Sequence, residues 1–232
     1  MKNLVVFLTI SMMCVASASA VVAYDWDGTT GYVRTNGVLG SGNIFEVNSD
    51  ITVTKLGCYN YQYGNQTPTD VDYPIELYEV DSLVDLGWDS WGQQAHSMTG
   101  TLLASVAIGP GSDVEEDIGA AQYVTLAAPV TLTAGKTYIL NMDSHATYIG
   151  ISDYLDVAVT GVVIGSEISH TNDYFTYAAA GTLGDPGEIY VGHINDPTVY
   201  WVGGPTMIYI PEPATICLLG FGALSLIRRK RA

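Results

Sequence analysis

The sequence predicts an all-β protein: a single antiparallel β-sandwich, preceded by an N-terminal signal peptide and followed by a C-terminal transmembrane helix. Three observations predict it. Between Tyr24 and Pro205 no window sustains apolar residues at the i, i+3, i+4, i+7 spacing of an amphipathic helix. In the same region, short runs rich in β-branched and aromatic residues recur between clusters of Gly, Pro, Asn and Asp, as strands between turns do. Long apolar stretches stand only near the two ends, at residues 4–15 and 214–227.

The first stretch follows Lys2 and leads into Ala18-Ser19-Ala20, the small-residue pattern that signal peptidase cuts. Residues 1–20 therefore read as a secretory signal removed after Ala20, with a cut after Ala23 the weaker alternative. Export fits the cysteines. Cys14 lies in the signal and Cys217 in the second apolar stretch, so Cys58 alone remains between them and an internal disulfide is excluded. The exported domain is placed at residues 21–205, long enough for one well-buried core.

Charge narrows the partners further. The 232 residues hold 24 Asp and Glu against 8 Lys and Arg, and four of those eight stand at positions 228–231. Away from the ends only Arg34, Lys55 and Lys136 remain. Such an acidic field repels polyphosphate, so nucleic acid is excluded as a partner.

Strands are expected at Asn43 to Val47, Asp50 to Cys58, Tyr73 to Val80, Gly100 to Ile108, Gln122 to Leu126, Val130 to Leu132 and Lys136 to Met142. Further on they are expected at Tyr148 to Ile151, Asp156 to Ile164, Tyr174 to Ala178, Glu188 to His193 and Thr206 to Ile210. Many short strands at this density suit two packed antiparallel sheets.

Candidate ligand-binding residues are aromatic. Trp88 and Trp91, within the stretch DSLVDLGWDSWGQQAHS, are expected on a loop where two indoles could stack on the apolar faces of sugars or else plug the end of the sandwich. Tyr59, Tyr61 and Tyr63 share one strand face by period two. Counted from Ile51 and Val53 that face points inward, counted from Leu56 and Cys58 outward, and a bulge near Gly57 decides between them. For a metal, Asp113, Glu115, Glu116 and Asp117 make the densest acidic loop, and Ca2+ is the cation they would suit, although the EF-hand spacing is absent and no cofactor is required.

Catalytic residues are not found. The sequence has no G-x-S-x-G, H-E-x-x-H or C-x-x-C, and its four histidines are scattered. A non-catalytic protein is expected; a carbohydrate-active enzyme with paired carboxylates and a calcium-dependent adhesin are the alternatives.

Residues 206–232 are set apart as a tail. Pro211-Glu212-Pro213 precedes the apolar residues 214–227, which span about 21 Å as a helix against a bilayer core of about 30 Å. Pro213 and Glu212 suit a helix start, and Arg228, Arg229, Lys230 and Arg231 suit its end. The basic cluster also stays on the cytoplasmic side and stops transfer, which leaves the domain outside. This order of motif, apolar helix and terminal basic cluster closely resembles the PEP-CTERM sorting signal. The resemblance implies a bacterium with a Gram-negative envelope that makes exopolysaccharide, transient anchoring in the inner membrane, and an exosortase-like sorting enzyme that cuts near Pro-Glu-Pro.

A second resemblance covers Phe45 to Leu140. FEVNSDITVTKLGCY, PIELYEV, TGTLLASVAI and AQYVTLAAPVTLTAGKTYIL look like jelly-roll-like modules of secreted bacterial proteins. It implies sugar binding or adhesion, and together with the sorting signal it leads to the expectation of a role at the cell surface or in a biofilm matrix with polysaccharide as a partner, while Gly135 equally serves as the turn residue a hairpin needs.

Overall fold

The computed structural model describes residues 19–25, 40–59, 73–88, 94–108, 115–118, 121–143, 158–159, 162–176, 187–191, 200–201 and 205–212. Among them the chain forms strands β1 (Val21–Val22), β2 (Tyr24–Asp25), β3 (Gly40–Val47), β4 (Ile51–Tyr59) and β5 (Tyr73–Trp88). Next come β6 (Gln94–Ile108), β7 (Glu115–Ile118), β8 (Ala121–Leu132), β9 (Thr137–Asp143) and β10 (Ala158–Val159). The last five are β11 (Val163–Ile164), β12 (Ile168–Thr176), β13 (Gly187–Val191), β14 (Tyr200–Trp201) and β15 (Pro205–Pro211). The signal residues 1–18, the expected strand at 148–151 and the expected helix at 214–227 lie outside the described residues.

All pairings among the described strands are antiparallel, as expected. One layer is an open sheet in the order β1-β15-β4-β8-β7; the other closes on itself as β12-β13-β6-β5-β9-β3. The second layer is therefore a small barrel rather than the flat sheet of a plain sandwich. Closure comes from β12, which pairs with β3 along its length and with β13 at Tyr174 and Phe175, while β13 pairs with β6.

Alternation of side chains builds two cores. On β3, β5 and β9, Phe45, Leu77, Tyr138 and Leu140 face the open sheet and meet Ile51, Val53, Leu56 and Met207. Their neighbours Ile44, Tyr78 and Ile139 point the opposite way and join Met98 inside the barrel. Each fully buried side chain contributes about 1.5–3 kcal/mol. The larger core holds an aromatic run: Phe45 lies 6.4 Å from Tyr24, nearly edge-on, and 5.8 Å from Tyr138.

Several expectations are corrected by this geometry. The stretch DSLVDLGWDSWGQQAHS is strand at both ends, because β5 and β6 pair from Tyr73↔Ile108 to Trp88↔Gln94. Gln122 to Leu126 and Val130 to Leu132 are one strand, β8, interrupted where the register against β4 jumps from Lys55↔Thr125 to Val53↔Val130. Pro129 falls in that interruption, where a missing N–H costs no ladder bond. Against β15, where Ile208↔Lys55 is followed by Tyr209↔Val53, the extra residue on β4 is Thr54, so its bulge does not lie near Gly57, and Ile51, Val53, Leu56 and Cys58 all face the core. The expected strand 156–164 is two short ones, β10 and β11, with different partners.

The turn at Gly135 also differs from a hairpin. It carries the chain from β8 in the open sheet to β9 in the barrel, with Gly135 at φ +76° and its N–H donating to the Val47 carbonyl at 2.9 Å. Glu115, Glu116 and Asp117, expected in a loop, form the edge strand β7 against β8.

Candidate functional site at the end of the last strand

The residues from Pro205 to Pro211 read as a nearly continuous apolar run, and the fold uses them so: positions 205–209 are buried without interruption. β15 lies inside the open sheet, with β1 on one side through Val21↔Tyr209 and Val22↔Ile208, and β4 on the other from Pro205↔Cys58 to Pro211↔Ile51. Residues 206–210, set with the tail in the division of the sequence, are thus an interior strand. They are held there because both of their faces are covered.

Side chains fasten this strand to the rest of the molecule. The Thr206 hydroxyl donates to the Tyr24 carbonyl at 3.0 Å, and Asn43 Nδ2 donates to the Pro205 carbonyl at 3.3 Å. The Tyr209 hydroxyl donates to Glu167 Oε2 at 2.7 Å. Burial first, and then that carboxylate, push the Tyr209 phenol well above its ordinary value. Burial alone would raise the Glu167 carboxyl, but the hydrogen bonds from Tyr209 and Ser166 outweigh it and leave it below the usual range. Gly165 is required beside this pair, since a Cβ there would overlap the Tyr209 hydroxyl oxygen.

At the strand's end the geometry passes straight into the Pro-Glu-Pro motif. Pro211 lies opposite Ile51. The Glu212 N–H donates to the Asp50 carbonyl at 3.1 Å, and the Thr52 hydroxyl donates to Glu212 Oε1 at 3.2 Å. Asp50 is itself fixed, because its Oδ1 accepts the Ala134 N–H at 2.8 Å. One exposed glutamate is therefore held by both its backbone and its side chain. Pro213, the residues 214–227 and Arg228, Arg229, Lys230 and Arg231 lie outside the described residues.

The other candidates from the sequence fall only partly among the described residues. Trp88 ends β5 and Trp91 lies outside the described residues. Tyr59 ends β4 opposite Ala121, and Tyr61 and Tyr63 fall outside. Trp88 belongs to the barrel layer and Tyr59 to the open sheet, so these aromatics stand on different layers. Asp113 lies outside the described residues, and among those described no group of three His, Cys, Asp or Glu could hold a metal ion. Ala18 is outside as well, while Ala20 is exposed just before β1. Of the histidines, His170 stands edge-on to Tyr24 at 5.7 Å, and His96 lies opposite Asp85 in the β5–β6 ladder.

Fold and site together define an all-β domain whose last strand delivers a short, polar, proline-flanked motif to the rim of a sheet. Residues 210–231 match the family model of the PEP-CTERM protein-sorting motif. No curated protein matches the chain. The match implies an exported protein, briefly anchored in a membrane by its tail and processed by an exosortase-like sorting enzyme. Pro211, Glu212 and Pro213 were legible from sequence as that motif. Asp50 and Thr52 were not, because the contacts that involve them depend on a register linking residues 160 positions apart.

Proposed function

We propose that the protein is a non-catalytic component of the cell surface or exopolysaccharide matrix of a bacterium with a Gram-negative envelope, delivered there by its tail. The observation that carries this reading is the continuity of β15 with the sorting motif: an acidic β domain and its address label form one uninterrupted piece of chain. The acidity supports a role outside the cell, since about twenty excess negative charges keep such a domain soluble and away from anionic lipid. Polysaccharide is the partner this reading assigns to Trp88 and Trp91, two indoles close in sequence where β5 gives way to β6.

The delivery is tested by ending the chain at Glu212 and following where the protein accumulates. Loss from the surface or matrix fraction, with soluble protein appearing elsewhere, is the expected result. Unchanged accumulation would overturn the assignment. Co-sedimentation with the host's matrix polysaccharide, lost on Trp88→Ala, checks the partner.

A further inference from the structure

We propose that the folded sheet fixes where the tail is removed: the sorting enzyme cuts on the C-terminal side of Glu212, and Thr52 and Asp50 are the residues that position it. This rests on the sorting reading above and adds to it the site of the cut and two residues outside the motif.

An enzyme that cleaves a peptide bond needs chain that is locally open, and paired strands resist it. Every residue from Pro205 to Pro211 is paired with β4, and Ile208 and Tyr209 are paired with β1 as well. Opening this segment would expose Met207, Ile208 and Tyr209, all at 2 % exposure or less, and would break the Tyr209 bond to Glu167. Pro211 has no N–H and ends the ladder, yet protection extends one residue further. The nitrogen of the Pro211–Glu212 amide is engaged, because its N–H donates to the Asp50 carbonyl. Among the described residues that amide is the last one tied to the sheet.

Thr52 secures this end from the side. It lies next to Ile51 in the strand that pairs with Pro211, and its hydroxyl holds the Glu212 carboxylate. The acid of the motif is thereby seated in one place relative to the fold, with Pro213 the next residue along. In the cleavage step a water or another hydroxyl oxygen attacks the carbonyl carbon of a bond beyond this point. The C–N bond breaks, the departing nitrogen takes the attacking group's proton, and no redox partner is needed. The retained chain keeps β15 whole and ends at Glu212 or later.

The full-length protein, produced in a bacterium that carries an exosortase-like enzyme, gives the test through mass spectrometry of the mature C-terminal peptide. A peptide that contains Tyr209, Ile210, Pro211 and Glu212 is expected. An end at Pro211 or earlier overturns this inference and leaves the sorting reading standing, whereas an intact tail overturns both. Thr52→Val, which removes the donor and keeps the shape, is expected to raise the share of upstream ends by about fivefold, the weight of one hydrogen bond. Thr52→Ser, which keeps the donor, restores the single end, and an unchanged melting temperature in both variants separates seating from folding. Identical ends in wild type and Thr52→Val overturn the role of Thr52.

Discussion

Tyr209 shows how single side chains set the conditions under which this fold holds. Its hydroxyl bonds a carboxylate, and hydrogen bonds to charged groups contribute about 1.5–3 kcal/mol. Tyr209→Phe is expected to lower unfolding free energy at pH 7 by about that amount, read from urea midpoints with an unchanged slope. The pH dependence has two limbs. Because the Glu167 carboxyl is held below its ordinary value, its contribution is present above that value and lost as pH falls through the depressed one. Burial raises the Tyr209 phenol, and pushes the Tyr123 phenol up to about 12, so their contributions are complete below about pH 10 and lost as pH rises beyond it. Above pH 10 each such phenol adds about 1.4 kcal/mol per pH unit to the decline, and Tyr209→Phe removes one of the two. A variant that declines as steeply as wild type would show that the Tyr209 phenol is not shifted.

At the scale of elements, the end of β15 is the boundary that matters. Chains ending at Glu212 and at residue 204 differ by one interior strand, whose Met207, Ile208 and Tyr209 together bury enough surface for about 5–9 kcal/mol. That is as large as the whole stability of an ordinary domain. The longer chain is expected to give cooperative thermal unfolding and the shorter one none, a difference that circular dichroism reads directly. Strands were legible in the sequence wherever one face is apolar and the next polar, as in β4 and β8. They were illegible where that contrast fails: residues 81–86 are exposed on both faces, so the outer half of β5 shows no alternation. The acidic run at 115–117 looked like a loop because an edge strand needs no apolar pattern of its own. The sorting motif was fully legible because it is contiguous, whereas its seat at Asp50 and Thr52 exists only after folding.

Across the whole molecule, charge and topology set the behaviour. With 24 acidic and 8 basic residues the folded chain repels itself, and added salt screens this over a distance that shrinks from about 30 Å at 0.01 M to about 8 Å at 0.15 M. The domain's melting temperature is expected to rise by a few degrees over that range; a fall would mean that surface ion pairs such as Lys136–Glu79 outweigh the repulsion. Topology has a consequence in time. Val21 and Val22, at the start of the folded domain, find their sheet partners at Tyr209 and Ile208, near its end. A chain that crosses a membrane from its N-terminus brings out its first strand long before the strand that receives it. In an export that runs from the N-terminus, the open sheet would not close until almost the whole domain has crossed. A brief hold of the tail on the membrane would then coincide with the interval in which β1 and β15 meet, so that release comes to a molecule already closed.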